Sequence, residues 1–427
     1  MQNLVYWIWL SLACTPCTAT FPRLIEKFDS AEAIYNADIR EITRCIDPRS
    51  SDRARLLDKS LDKAQEILDY CTRLKVGLLS YDDPKYPDQL KRISSPPVLL
   101  YYRGILPDFN HSFCISIVGT RSLSDYGRKN AFKISYDLAS AGAVIVSGMA
   151  MGIDGVAHAG ALEADKPTVA IMGSGIDVCY PEQHLSLARE IVKIGCVMTE
   201  FPPHTPPSRY NFPMRNRIIS GLSAATVVIE GKEKSGARIT ASYALEQNRK
   251  LYALPGNVGS ENSEVTSMLL KNGAYALTSA DDIVRDFQDR YPGIINPFNM
   301  KLRLPVDIME SLSRYSVVAV CSGDDIFSTI PKKKSTSSSY EIKSSEANVT
   351  DSNAVVDNDS DLEPYIDKRA FEIYKKIPTS GECSVESLVD SDIGLRDVMK
   401  CLLKLEMGHF VKMLPGDRVC RKFKSER

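Results

Sequence analysis

The middle of the chain alternates short apolar runs with longer amphipathic stretches. Between Phe113 and Phe287 the apolar runs are FCISIVGT, AVIVSGM, TVAIMGSG, CVMTEF, ATVVIEG, KLYALPG and AYALT. Each run is almost wholly apolar, which is typical of strands buried on both faces of a parallel sheet. The stretches between the runs are long enough for helices that cross back over that sheet. The pattern predicts a doubly wound, mostly parallel α/β sheet.

The residues before this block divide into a helical part and a bridging part. In residues 1–75 apolar side chains recur at three- and four-residue spacing, which predicts a small helical domain. Closely spaced prolines in residues 76–112 exclude a long helix, and the run Val98 to Tyr102 is typical of a strand. The opening segment MQNLVYWIWLSLAC has no basic residue before its apolar run, and that run is too short to cross a bilayer. It predicts a buried or amphipathic first helix and no membrane span.

The chain changes character twice after the sheet-forming block. The core domain is predicted to occupy residues 113–287, and residues 288–331 give a mixed pattern that predicts no definite element. Residues 332–366 are rich in Ser, Asn and Asp and poor in large apolar side chains, so they are predicted to form a disordered linker. This linker is acidic, because seven acidic residues and no Lys or Arg lie between Ser344 and Asp367.

The last segment, residues 367–427, regains amphipathic periodicity. Three helix-like stretches are followed by two short strands that turn at Pro415 and Gly416, which is the pattern of a winged helix. Its third helix carries a few basic residues among mainly apolar ones, so contact with DNA and contact with a protein both stay open. Those basic residues are Arg396, Lys400 and Lys404.

Composition restricts the possible partners. The 427 residues are 44% hydrophobic, enough for several domains with a core. Lys plus Arg number 53 and Asp plus Glu number 54, so any anion site must be a local patch. Eleven irregularly spaced cysteines do not suggest a disulfide framework and favour a reducing cytoplasm. Cys14 and Cys17 form CTPC, but nothing supplies the other two ligands of a zinc site, so no metal is predicted.

Glycine and hydroxyl residues follow several of the predicted strands. At the carboxyl end of a parallel strand, glycine lets backbone N–H groups approach an anion, and the next helix adds its positive end. The alternative is that these glycines only make tight strand-to-helix turns. Three such loops in succession, one with an arginine, together with a similar fifth loop, favour an anion site. Its candidate residues are Gly119, Thr120, Arg121, Ser122, Ser147, Gly148, Gly173, Gly175, Ser235 and Gly236.

The fourth loop combines prolines, arginines and aromatic residues in the sequence EFPPHTPPSRYNFPMRNRIISGL. Guanidinium groups that bind phosphates and rings that stack on unpaired bases are what single-stranded nucleic acid requires. Thr205 to Lys250 holds eight Lys or Arg against three Glu, a local excess of positive charge. A solvated basic face is the alternative. The candidates are Arg209, Tyr210, Phe212, Arg215 and Arg217.

Motifs for catalysis and for cofactors are missing from the sequence. The Walker pattern GxxxxGK[ST] does not occur, and GSGIDV has Val178 where GxGxxG needs its last glycine. Asp154, His158, Asp177, Glu200 and Glu230 lie near strand ends, but no spacing pairs a nucleophile with a base. His158 fits a helix packing position, and Asp154 could cap that helix. No cofactor and no enzymatic activity are therefore predicted.

Six segments together resemble the DNA-processing protein A family, DprA, also called Smf. The segments are GTRSLSDYG, SGMAMGIDGVAHAGAL, GSGIDVCYP, TEFPPHTPPSRYNFPMRNRIISGLS, SGARITASYA and LPGNVGS. The resemblance implies an extended Rossmann-like domain, commonly preceded by a small helical domain, here similar to sterile-alpha-motif or helix-hairpin-helix domains, and followed by a winged helix. It implies a cytoplasmic bacterial homodimer that binds single-stranded DNA, protects it, and helps load the RecA recombinase in natural transformation, the process of competence, or in related recombination.

The resemblance also assigns roles to individual residues. It implies that Arg121 beside Gly119 holds a phosphate, that Arg209 and the Arg215, Asn216, Arg217 group extend the basic pocket, and that Phe212 contacts a base. The chain departs from the family pattern at Met151, His184, His204, Val265 and Ser267.

The alternative function is a nucleotide-binding enzyme of the phosphoribohydrolase-like Rossmann group. The hallmark PGGxGT loop of that group is replaced here by LPGNVGS.

Overall fold

The structure, a computed structural model, describes most of the chain in two compact units, Met1–Ile330 and Pro331–Arg427. The described residues are 2–301, 308–316, 368–378, 382–389, 394, 397–399, 401–402, 405, 411–414 and 418–421.

The first unit begins with six helices. They are α1 (Gln2–Ala13), α2 (Thr20–Phe28), α3 (Ala31–Asn36), α4 (Ile39–Cys45), α5 (Asp52–Leu57) and α6 (Asp62–Arg73). The predicted first helix is present and buried, since Trp7, Ile8 and Leu10 have no exposed surface. These side chains belong to one apolar cluster that also contains Met172 and Val197 of the sheet region. The helical region and the sheet thus share a core, and the division of this unit into separate domains stays a prediction.

A nine-stranded sheet forms the centre of this unit, in the order β1-β2-β6-β5-β4-β3-β7-β8-β9. The strands are β1 (Gly77–Ser80), β2 (Leu99–Gly104), β3 (Cys114–Val118), β4 (Val144–Ser147), β5 (Thr168–Ile171), β6 (Cys196–Thr199), β7 (Ala225–Val228), β8 (Lys250–Ala253) and β9 (Tyr275–Ala276). All seven predicted core strands are present and parallel. The predicted mostly parallel α/β sheet is confirmed. β2 pairs antiparallel with β6, and β1, which was not predicted, pairs antiparallel with β2.

Helices cover both faces of the sheet. They are α7 (Asp88–Lys91), α8 (Asp125–Ser140), α9 (Ile153–Glu163), α10 (Leu185–Ile194), α11 (Asn211–Gly221), α12 (Gly236–Glu246), α13 (Glu264–Lys271), α14 (Ala280–Phe287) and α15 (Ile308–Ser316). Within β3, Ile115 and Ile117 join the apolar cluster that includes α8 and α9, whereas Cys114 and Val118 join the one that includes α11 and α12. This alternation is what a strand buried on both faces requires.

The strand order reverses at β3. The chain runs from β3 through β4 and β5 to β6 on one side, and then returns to place β7 on the other side of β3. The loops after β3 and β7 therefore lead away in opposite directions and leave a crevice at the carboxyl edge of the sheet. In open α/β sheets, ligands bind at such a crevice.

The second unit contains a short helix and a small sheet among its described residues. α16 (Lys368–Lys376) precedes the antiparallel sheet β10-β12-β11, formed by Glu382–Ser384, Arg418–Arg421 and Val411–Leu414. The winged helix stays a prediction. The predicted linker 332–366 lies outside the described residues, as do the basic positions of the third helix and the predicted turn. Those positions are Arg396, Lys400, Lys404, Pro415 and Gly416.

In the part of the chain that the structure describes, no helix has both the length and the apolar character needed to cross a membrane. Within the same described ranges, His, Cys, Asp and Glu side chains form no group of three or more that could hold a metal ion.

Candidate nucleic-acid interface

A cavity of about 720 Å³ opens at the carboxyl edge of the sheet, where the strand order reverses. Its walls come from the turn after β3, the segment that leads into α11, and the loop before α12. Ten of the sixteen candidate residues line it. They are Gly119, Thr120, Arg121, Ser122, Arg209, Phe212, Arg215, Asn216, Ser235 and Gly236.

Positive charge dominates the lining. Arg121, Arg209, Lys232 and Lys234 are exposed at the cavity, and among the described residues that line it Asp154 is the sole carboxylate. Lys232 also lies 2.5 Å from Glu261, an exposed pair that offsets little of its charge. The lining is therefore positively charged, as a site for an anion requires, and the anion site stays a prediction.

Aromatic rings stand beside these cations. The guanidinium carbon of Arg121 lies 5.5 Å from the centre of the Phe212 ring. The Tyr180 ring is tilted against the same Phe212 ring, with the two ring centroids 5.4 Å apart. Arg209 covers the ring of Tyr210, which is 63% exposed. Gly173 does not line the cavity but makes room for Phe212, since a Cβ at this position would lie 2.6 Å from that ring.

The turn after β3 is fixed by hydrogen bonds from its backbone. The Thr120 N–H donates to the Glu230 carbonyl at 2.9 Å, and the Ser122 N–H donates to the Thr120 hydroxyl at 3.2 Å. The Glu230 carboxylate accepts the Ser124 N–H at 3.0 Å and so occupies the start of α8. The start of α12 instead faces the cavity, where Ser235 caps it by accepting the Ala237 N–H. An anion in the cavity thus meets a helix N-terminus together with side-chain cations.

Arg215 forms the floor of the cavity and not its rim. Its guanidinium donates to the Gly148 carbonyl at 2.6 Å and also to the Ile171 carbonyl. These bonds join α11 to the ends of β4 and β5. Burial lowers the pKa of Arg215 to about 10, so the group stays charged at neutral pH. Gly148 makes this arrangement possible, because a Cβ there would lie 2.5 Å from Asp154 and 2.7 Å from Arg215.

Three other candidates lie away from the cavity. Arg217 is 3% exposed and pairs with Glu200 at 2.6 and 2.7 Å, while its Nε donates to the Ser95 carbonyl. The buried Ser147 hydroxyl donates to the Ile117 carbonyl at 2.6 Å. Gly175 donates its N–H to the Thr205 carbonyl at 2.9 Å. All three act within the protein framework.

The structure adds Lys232, Lys234 and Tyr180 to the predicted set. The two lysines could have been found from GKEKSG, because basic residues immediately before a helix that begins at a strand end must lie at that edge. Of the positions that depart from the family pattern, Val265 is buried in the apolar core. The Nδ1 of His184 lies 2.8 Å from the Met149 carbonyl oxygen. Met151 is 44% exposed and does not line the cavity.

We expect the affinity of the cavity for anions to rise as the pH falls from 7 to 5. Burial raises the pKa of Asp154 to about 6, although Arg215 and the backbone N–H groups of Ala150 and Gly148 oppose the shift. A carboxyl with a raised pKa is neutral below that pH and charged above it. Protonation therefore removes the negative charge of the lining, which should strengthen binding about three- to tenfold.

The measurement is DNA binding between pH 7.5 and 5.0 at constant ionic strength, with Asp154→Asn as the control. The variant should bind at pH 7.5 as tightly as the unaltered chain does at pH 5. An equally large rise in both proteins would contradict the assignment to Asp154.

Comparison with known proteins agrees with this geometry. The family model described as DNA recombination-mediator protein A matches residues 77–288, from β1 to the end of α14. The chain is 38% identical over 223 residues to DNA processing protein DprA of Bacillus subtilis, a match that covers 52% of this chain and 75% of that protein. This chain belongs to the DprA family.

Two further members support the assignment. Protein Smf of Escherichia coli is 41% identical over 212 residues, but the match spans only 56% of that protein and 49% of this chain. The X-ray structure of DprA from Streptococcus pneumoniae superposes with a TM-score of 0.58 at 30% identity, over 66% of this chain and 97% of that one. The DprA match contains the whole cavity, whereas α1–α6 precede the residues that the family model matches.

Proposed function

We propose that this chain binds single-stranded DNA in the cavity at the carboxyl edge and acts as a recombination mediator without catalysing a reaction. The observation that carries the proposal is the pairing of cations with aromatic rings: Arg121 with Phe212, whose ring also contacts Tyr180, and Arg209 with Tyr210. Such pairs bind a strand through its phosphates and its base faces together.

The arrangement favours an unpaired strand over a duplex. A ring beside a guanidinium can stack on a base only when that base is free of its own helix, whereas a duplex offers mainly phosphates to a basic surface. In this proposal Arg121, Lys232 and Lys234 hold phosphates near the start of α12, and Phe212 contacts a base.

Family membership supports the wider parts of the proposal. The description of the family as a recombination mediator favours loading of the RecA recombinase, protection of incoming DNA, and a role in natural transformation. The same membership favours a homodimer in the cytoplasm. The winged helix of residues 367–427 would then offer a second contact, with either DNA or protein.

Replacement of Phe212 by alanine is expected to weaken binding of a labelled single strand of about 20 nucleotides by 1–3 kcal/mol, because one stacking contact is lost. Binding of a duplex of the same length should change little, so the preference for single strands should fall. Fluorescence anisotropy at fixed salt measures both affinities. Phe298→Ala is the matched control, because Phe298 is 76% exposed and does not line the cavity. It lies two residues after Asn296, whose N–H donates to the Ala141 carbonyl at the end of α8.

Equal affinity of the unaltered chain for single strands and duplexes would contradict the proposal. An undiminished preference in Phe212→Ala would exclude the base contact. Incubation with nucleoside monophosphates tests the alternative directly, because release of a free base would establish an enzyme of the phosphoribohydrolase type.

A further inference from the structure

A buried carboxylate after β5 joins three separate parts of the first unit. Asp177 is 3% exposed, and it accepts the backbone N–H of His204 at 2.8 Å and the hydroxyl of Tyr70 at 3.0 Å. The Nδ1 of His204 lies 2.6 Å from the same carboxylate. The rings of Tyr70 and His204 also meet edge to face, with centroids 4.6 Å apart. The helical region, the β5 loop and the proline-rich fourth loop therefore converge on one side chain.

The fourth loop is fixed at this point by its backbone as well. Gly175 donates its N–H to the Thr205 carbonyl at 2.9 Å. A Cβ at Gly175 would lie 2.8 Å from the Pro202 carbonyl, so the two loops are in close contact. His204 adopts a φ of 64°, a left-handed conformation that is uncommon for residues other than glycine. Its contacts with Asp177 and Tyr70 hold it in that conformation.

The anchored segment leads directly to the cavity. Pro206 and Pro207 lie between His204 and Arg209, and their rings fix the backbone angle φ. The backbone between these two residues therefore has little conformational freedom. Pro207, Arg209 and Phe212 all line the cavity. The position of His204 therefore restricts where the Arg209 guanidinium can lie.

We infer that Tyr70, Asp177 and His204 are positioning residues that hold the fourth loop, and with it Arg209, in the conformation that binds DNA. Through Tyr70 of α6, the helical region would then set the affinity of a cavity that it does not line. This inference rests on the proposed function and adds to it a role for a region that precedes the family match.

The first test uses the full chain without DNA. Tyr70→Phe removes one hydroxyl and keeps the ring, and it should speed hydrogen exchange in the peptide that spans residues 203–212. Tyr35→Phe is the matched control, because its hydroxyl donates at 2.7 Å to the Lys59 carbonyl within the same helical region and does not contact the loop. Equal exchange of the loop in the two variants would overturn the inference.

The second test measures single-strand affinity in a double-mutant cycle with Arg209→Ala. Alone, Tyr70→Phe should weaken binding about five- to tenfold, the equivalent of one ordinary hydrogen bond, and in the Arg209→Ala background it should change binding less than about twofold. Additive effects would overturn the inference, because Tyr70 would then act by another route. If the unaltered chain binds no single strand, the proposed function fails, while the exchange measurement still decides whether the three residues hold the loop.

Discussion

Replacement of Glu200 by alanine is expected to lower the free energy of unfolding of the first unit by about 3–5 kcal/mol, because it leaves the Arg217 guanidinium buried without its counter-charge. Both side chains are almost inaccessible, and two short hydrogen bonds join them. Urea denaturation at pH 7, followed by tryptophan fluorescence, measures the change. Both tryptophans, Trp7 and Trp9, lie in the buried α1, so the fluorescence reports on this unit.

Two controls separate the loss of a charge partner from the loss of packing. The double variant Glu200→Leu, Arg217→Met removes both charges and should recover much of the lost stability, since apolar residues often replace a buried ion pair without cost. Glu190→Ala breaks the exposed pair with Lys193 and should cost at most about 1 kcal/mol. A Glu200→Ala effect as small as that of Glu190→Ala would show that the Arg217 pair contributes no more than a surface contact.

Simultaneous replacement of Arg121, Lys232 and Lys234 by alanine is expected to reduce single-strand affinity by at least about 100-fold at low salt, because each charge-assisted hydrogen bond to a phosphate contributes about 1.5–3 kcal/mol. The dependence of log affinity on log salt should flatten by about 2, since each neutralised phosphate on a single strand accounts for a slope of about 0.7. Fluorescence anisotropy over a series of salt concentrations measures both quantities.

The matched control removes one arginine and two lysines from elsewhere in the same unit: Arg44→Ala, Lys63→Ala, Lys166→Ala. All three side chains are exposed, two of them in the helical region and one before β5 at the opposite edge of the sheet. This control loses the same net charge as the cavity variant. Because its three residues do not line the cavity, it should keep its affinity and its salt slope. An equal loss in both triple variants would mean that binding depends on overall charge and not on the cavity.

The sequence was sufficient to predict the sheet and to point to the edge where the cavity lies, because both depend on local patterns. Apolar runs identify buried strands, and glycines with Arg121 mark the turn after the first of them. β1 was missed because only two of its four residues, GLLS, are large and apolar, so it lacks the apolar run that marks the core strands. Its position depends on pairing with β2, which no local pattern reveals.

The three arginines of the fourth loop show where local patterns become insufficient. Arg209 precedes α11 and reaches the cavity, whereas Arg215 and Arg217 lie within the helix and point to different partners. Residues two positions apart in a helix are separated by about 200° around its axis, so Arg215 and Arg217 point in nearly opposite directions and cannot bind the same group. The partner of Arg217 is Glu200, far back along the chain in the β6 loop. Only the folded structure distinguishes an arginine that lines the cavity from one that forms an ion pair in the interior.

The shared core of the helical region and the sheet has a consequence for synthesis on the ribosome. α1 precedes β6 along the chain, yet its buried side chains pack in a cluster with residues as late as Val197. At about 5–20 residues per second, β6 follows α1 after about 10–40 seconds. During this interval Trp9 can already pack on Tyr35 of α3, whereas the part of the cluster that belongs to the sheet has not yet been made. The packing of α1 is therefore completed only after β6 has been synthesised.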